Sequence, residues 1–144
     1  MAKKNYGIVM KFYRVERFFY EHKLTLLARI TNRLIYLLFN CSIPYTTVIE
    51  EDVEIVHGIG IVLHQHSVIG AQTRIYQNVT IGNGNGPKIG KNCIIGSGAV
   101  VLGDITIGDN CRIGANAVVL KDSPDGCTAV GVPAVVKHPK RRDS

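Results

Sequence analysis

From Leu63 onward, every sixth residue is Ile, Leu or Val: Leu63, Ile69, Ile75 and Ile81, then, after a step of eight, Ile89, Ile95, Val101, Ile107, Ile113 and Val119. The same ladder runs backwards from Leu63, again across a step of eight, through Ile55, Ile49 and Ile43. Glycine often follows the rung (Gly70, Gly82, Gly90, Gly96, Gly108, Gly114), and a small or compact residue usually stands four places after it (Thr73, Val79, Cys93, Ala99, Ile105, Cys111, Ala117). A period of six is neither the 3.6 of a helix nor the 2 of an ordinary strand. It fits a chain that runs straight, turns a corner, and points one aliphatic residue inward on each flat side. Three such sides make a coil of about eighteen residues, and coils stack at about 4.8 Å, so that the rungs pile into a continuous column. The pattern predicts an all-β solenoid, a parallel β-helix whose repeats touch only their neighbours. Glycine after the rung is expected at a corner, where positive φ or close backbone approach is needed. A β-sandwich rich in Ile-Gly is the alternative, and so many rungs in register argue against it.

Ahead of the ladder the period changes. Phe12, Val15, Phe18 and Phe19, then Leu24, Leu27, Ile30, Leu34, Leu37 and Leu38, recur at helical steps between Ile8 and Phe39. Lys11, Arg14, Arg17, Lys23, Arg29 and Arg33 interrupt the run, so no uncharged apolar stretch is long enough to span a bilayer. Two readings of residues 8–39 coexist: a helical pair that caps the first coil and shields its sheet edge, and a basic amphipathic surface that rests on an anionic membrane face. Residues 1–7 read as disordered. The chain thus divides into an N-terminal helical segment (1–40), the repeat body (41–136) and a basic tail (137–144).

The two eight-residue steps are the places where the solenoid must depart from its period. Val56-His57-Gly58-Ile59-Gly60 forces a bulge or wide corner that carries His57, and Asn83-Gly84-Asn85-Gly86-Pro87-Lys88 reads as an exposed loop. Disturbances in a regular repeat are where function tends to be grafted.

Charge divides the same way as pattern. Residues 1–40 hold eight Lys or Arg against two Glu, residues 41–136 five against eight Asp or Glu, and residues 137–144 four against one. Basic ends on a mildly acidic body are not the layout of a nucleic-acid groove, which spreads positive charge and stacking aromatics along the body. Glu50, Glu51, Asp52 and Glu54 read as a solvated face. The four cysteines (Cys41, Cys93, Cys111, Cys127) show no metal-ligand spacing. Cys93 and Cys111 stand eighteen residues apart at the small interior position and read as stacked, buried hydrophobes. The start Met-Ala-Lys-Lys-Asn lacks the apolar region of a signal peptide, which sets the expectation of a cytoplasmic protein. A solenoid of little more than four coils buries limited surface and is expected to oligomerise.

Three motifs give these repeats a family likeness: His57-Gly58-Ile59-Gly60-Ile61-Val62 leading to Tyr76-Gln77-Asn78-Val79-Thr80-Ile81-Gly82, then Ile113-Gly114-Ala115-Asn116-Ala117-Val118-Val119, and Gly131-Val132-Pro133-Ala134. The chain resembles the hexapeptide-repeat acyltransferase superfamily, in its serine acetyltransferase-like branch, over roughly residues 42–137. The resemblance implies a left-handed β-helix, a homotrimer, and acetyl-CoA as co-substrate in the groove between adjacent subunits. By the same resemblance His57 is the catalytic base, and a neutral imidazole suits the task of taking a proton from a hydroxyl attacking a thioester. Ser97 and Ala115 would offer backbone groups to the pantetheine arm. Leu120 and Lys121 would sit near the adenosine end, with Lys121 and, less directly, Lys137 reaching phosphates.

The chain departs from serine acetyltransferases at the acceptor. Val56 stands where they have an Asp just before the histidine, Ser42 where they have a second Asp, and the short 83–88 loop lacks their Arg-His pair. On these grounds the expected acceptor is a sugar hydroxyl in capsule or exopolysaccharide synthesis, with Asn83 and Asn85 as its hydrogen-bonding groups. Serine O-acetylation is the alternative. His64 and His66, taken with His57, resemble the histidine sets of zinc-binding hexapeptide proteins, but their spacing does not match, and no metal is expected.

Overall fold

The computed structural model describes residues 7–140. The N-terminal stretch read as disordered lies outside them apart from Gly7, as do the last four residues of the basic tail. Two helices, α1 (Ile8–Glu21) and α2 (Thr25–Phe39), lead into fourteen short strands. The strands form three faces. Face A holds β3 (Val62–Leu63), β6 (Thr80–Gly82), β9 (Val100–Leu102) and β12 (Val118–Val119). Face B holds β1 (Val48–Ile49), β4 (Val68–Ile69), β7 (Lys88–Ile89) and β10 (Thr106–Ile107). Face C holds β2 (Glu54–Ile55), β5 (Arg74–Ile75), β8 (Ile94–Ile95), β11 (Arg112–Ile113), β13 (Thr128–Val130) and β14 (Val135–Lys137). The chain visits them in the order B, C, A and repeats: a left-handed β-helix of about four turns.

Register confirms the coil length read from the ladder. Val62 pairs with Thr80, and Val100 with Val118, each eighteen residues on. Thr80 pairs with Val100, twenty residues on, because the 83–88 loop lies between them. Every rung from Ile43 to Val119 points inward and is at most 4% exposed. The small positions fill the space between rungs: Thr73, Val79, Ala99 and Ala117 are fully buried. Cys93 and Cys111 are buried free thiols, and burial pushes the Cys93 thiol up to about 11.

The corners follow a rule that the glycine pattern does not reveal. The residue with left-handed backbone stands three places after the rung and is mostly Asn (Asn78 φ 57°, Asn92 φ 52°, Asn110 φ 57°, Asn116 φ 57°). Asparagine tolerates this region because its short polar side chain bonds locally; the Asn92 amide donates to Asn110 Oδ1 at 2.8 Å, one coil on. The glycine directly after the rung serves close approach instead. A Cβ at Gly70 would lie 2.5 Å from the carbonyl carbon of Gly90.

The helices close the first coil. Val9, Met10, Tyr13 and Ile35 join Ile43, Ile49 and Ile55 in one buried cluster. Carbonyls of the first coil, which have no preceding coil to bond, accept from helix side chains. Tyr13 donates to Thr47 O, Arg14 to Ile49 O and Glu50 O, Arg17 to Tyr45 O, and Asn32 to Ile43 O. Glu16 is the exception to this economy. It is wholly buried, and among the described residues its carboxyl oxygens have no partner at full hydrogen-bonding geometry; the nearby Asn32 amide gives one N–H to Ile43 O and leaves the other toward the carboxyl. Burial pushes its carboxyl up to about 8, against a smaller opposing pull from the Asn32 amide. At the far end, the chain turns after β13 and returns as β14, antiparallel to it, a strand for which the repeat holds no signal.

Candidate active site

The corner between faces C and A forms a column. His57 lies between β2 and β3, Tyr76 and Gln77 between β5 and β6, Ser97 between β8 and β9, and Ala115 between β11 and β12. Backbone hydrogen bonds run up the column: Asn78 N–H donates to Ile59 O, Gly98 N–H to Gln77 O and Asn116 N–H to Ser97 O, each at 2.9 Å. The structure thus brings His57, Ser97 and Ala115 to one edge, with Ser97 half-buried and Ala115 exposed.

His57 owes its exposure to the two extra residues. Gly58 and Gly60 adopt left-handed backbone (φ 60° and 65°), which swings the imidazole clear of the prism. Its ring lies 6.3 Å from the Tyr76 ring and makes no hydrogen bond to any described residue. The Asp that would orient it is replaced by the half-buried Val56, and Ser42 pairs with Val62 along face A. Helix α1 covers the corner from one side. Val9 packs so tightly on Gly58 that a Cβ there would lie 2.5 Å from Val9 Cγ2. A cavity of about 370 Å³ remains, lined by Lys11 and Ile8 on the helix and by Val56 and His57 on the coil. Sequence reasoning missed both neighbours. Tyr76 could have been found by coil arithmetic, twenty residues above Val56; Lys11 could not, because helix docking follows no repeat.

The remaining candidates stand elsewhere. The 83–88 loop, Leu120 and Lys121 lie at the other edge of face A, where it turns into face B. A side of about six residues at about 3.3 Å each puts them roughly 20 Å from His57 within one copy. Leu120 and Lys121 are exposed. Lys137 ends β14, paired with Thr128, at the end of face C away from the His57 corner. His64 and His66 sit under the loop on the same far edge, their rings 5.5 Å apart, so one copy does not gather the three histidines. No group of three metal-binding side chains occurs among the described residues.

Asn83 and Asn85 are both exposed, and they hold the loop through different groups, one a side-chain oxygen and the other a backbone N–H. Asn83 Oδ1 accepts from Gly84 N–H at 2.7 Å, and Asn85 N–H donates to the Asp104 carboxylate one coil on. Gly86 presses on the preceding coil: a Cβ there would lie 2.7 Å from Ser67 N and 2.8 Å from His64 Nδ1. The asparagines shape the loop.

Face A, between the two edges, presents Val62, Thr80, Val100 and Val118 in register, followed by Leu102 and Leu120. Face C presents Glu54, Arg74, Ile94, Arg112 and Thr128, with Glu54 and Arg74 ion-paired at 3.1 Å. The flat apolar face is therefore the one flanked by candidate chemistry.

Comparison with known proteins gives this architecture its relatives. The profile of bacterial hexapeptide transferases (six repeats) matches residues 86–121. A serine acetyltransferase of Helicobacter pylori is 38% identical over 129 residues, 85% of this chain and 75% of that protein. The chain belongs to the hexapeptide-repeat transferase family. Within that family, the serine acetyltransferase of Synechococcus elongatus is 39% identical over 131 residues, covering 86% of this chain. A solved serine acetyltransferase in complex with CoA superposes on 90% of this chain with a TM-score of 0.83 at 34% identity. The chain spans about half the length of these last two hexapeptide transferases, 53% and 55%.

These relatives correct the acceptor. The sugar hydroxyl of capsule or exopolysaccharide synthesis is overturned by serine acetyltransferases that match most of the chain. In the loop itself, the Asn83 side-chain oxygen is committed to its own turn and the Asn85 backbone N–H to Asp104, while the Asn85 side chain stays exposed.

Proposed function

We propose that this protein is an acetyl-CoA-dependent serine O-acetyltransferase in which His57 is the general base. The observation that carries the reading is the C–A corner column: an exposed imidazole with no competing partner among the described residues, in line with the backbone of Ser97 and Ala115. A long, amide-bearing pantetheine arm can lie along that edge and deliver its thioester to His57. The serine hydroxyl attacks the thioester carbonyl carbon, and a C–O bond forms as His57 takes the proton. The C–S bond then breaks, and the thiolate leaves and recovers the proton as CoA. With no carboxylate on the imidazole among the described residues, His57 acts as a single base.

The reading extends to assembly. Three copies that turn face A toward a common axis place the His57 edge of one against the loop edge of the next. Leu120 and Lys121 then reach the coenzyme from the neighbour. Burying Val62, Val100 and Val118 supports that orientation. A cytoplasmic setting, beside the acetyl-CoA pool, goes with this chemistry.

The test is thiol release from acetyl-CoA with L-serine as acceptor. Serine-dependent release, with O-acetylserine formed in equal amount, is the expected result. Release no faster with serine than without it overturns the proposal. CoA alone, at a hundred times its dissociation constant, should add about 2.7 kcal/mol of stability.

A further inference from the structure

Helix α2 is buried on one side only. Ala28, Thr31 and Ile35 face the protein. On the opposite side Leu26, Ile30, Leu34, Leu37 and Leu38 stand in solvent, three of them more than 60% exposed. These positions form one continuous stripe at helical spacing. An apolar stripe of this extent marks an interaction surface, and its chemistry identifies the occupant. The flank carries Arg29 and Arg33, four residues apart, with Arg33 stacked 5.3 Å from the Tyr36 ring. Lys23 sits at the exposed turn between the helices. No Asp or Glu occurs in α2. Of the two carboxyl groups on α1, Glu16 is wholly buried and Glu21 is tied to Arg17 at 2.8 Å.

We propose that the outward face of α2 binds an anionic lipid surface, lying in the interface with its leucines among the acyl chains and its cations at the phosphates. The helix is fifteen residues, about 22 Å long, and no helix among the described residues is long and apolar enough to cross a membrane. A leucine stripe bordered by arginines and a tyrosine fits the water–lipid boundary, where long cationic side chains bend up to the headgroups. A second copy of the chain fits poorly. A twofold pairing sets each patch against itself and brings Arg29, Arg33 and Lys23 toward their own counterparts, with no carboxylate to meet them. Anionic headgroups supply the missing charge.

The test uses the full chain with vesicles of phosphatidylcholine, alone or with about 30 mol % phosphatidylglycerol. Co-sedimentation should be at least about tenfold tighter on the anionic vesicles and should weaken as salt rises. The double variant R29E/R33E should lose that preference, and I30Q/L37Q should lose vesicle binding altogether. Both variants change exposed side chains and should keep the parent's serine-dependent thiol release, which is measured without vesicles. Equal or absent binding to the two vesicle types overturns the proposal. So does I30Q/L37Q lowering the particle mass in ultracentrifugation while vesicle binding stays intact, since the stripe then joins two copies.

Discussion

The two interruptions of the ladder make a controlled comparison. Each adds two residues at the same point of the repeat, between a rung and the next small interior position. Around His57 the surplus is spent on two left-handed glycines, and the imidazole is left exposed, with no hydrogen bond to any described residue. In the 83–88 loop the surplus is stitched down: Asn83 bonds its neighbour, Asn85 bonds Asp104, Pro87 is buried, and Gly86 rests on the coil below. One loop frees a titratable group and the other pins its own backbone. An insertion into a solenoid therefore says where chemistry can be placed, and only the satisfaction of its side chains says whether it is.

The largest effect should come from the free group. His57→Ala is expected to lower kcat/KM for serine-dependent thiol release by about a thousandfold while leaving the CoA-induced thermal shift unchanged. Asn85→Ala should change it less than threefold, roughly 0.6 kcal/mol; equal losses in the two variants would break the comparison. A control away from both loops is Glu16. Its carboxyl is raised from the ordinary 4.5 to about 8. The folded state therefore binds the proton more tightly, and its contribution to stability is whole below 4.5 and drains away as pH climbs toward about 8. The slope is at most about 1.4 kcal/mol per pH unit. Glu16→Gln should flatten it in a series of urea melts without altering thiol release at pH 7. Gly86→Ala, with a φ of 87° and a Cβ driven into Ser67 and His64, should cost about 2 kcal/mol in the same melts. Asp104→Ala should cost about 1 kcal/mol and speed hydrogen exchange at the Asn85 amide.

The ladder itself carried most of the fold. Rungs, coil length and the stacking of Cys93 on Cys111 were legible because each depends only on period, and a solenoid converts sequence separation directly into height. His57, Ser97 and Ala115 share a column for the same reason. What escaped was aperiodic. The docking of Val9 and Lys11 on the His57 corner joins a helix to a coil with no fixed offset. The hold of Asp104 on the Asn85 backbone, nineteen residues apart, likewise has no signal in the repeat. The corner rule was half legible, since Gly70 answers to close packing while the positive φ falls to Asn78 and its equivalents.

The reversal at β14 reaches beyond the active site. A pile of parallel turns has no intrinsic stopping point, and an open last turn leaves an unpaired edge on which a second molecule can dock. Here the final strand runs backwards against β13, with Val136 opposite Ala129, so the outer rim offers the wrong polarity for any further turn. Because α1 and α2 already close the first turn, a chain ending at Val130 should pair only tail to tail, doubling its particle mass where the intact protein does not.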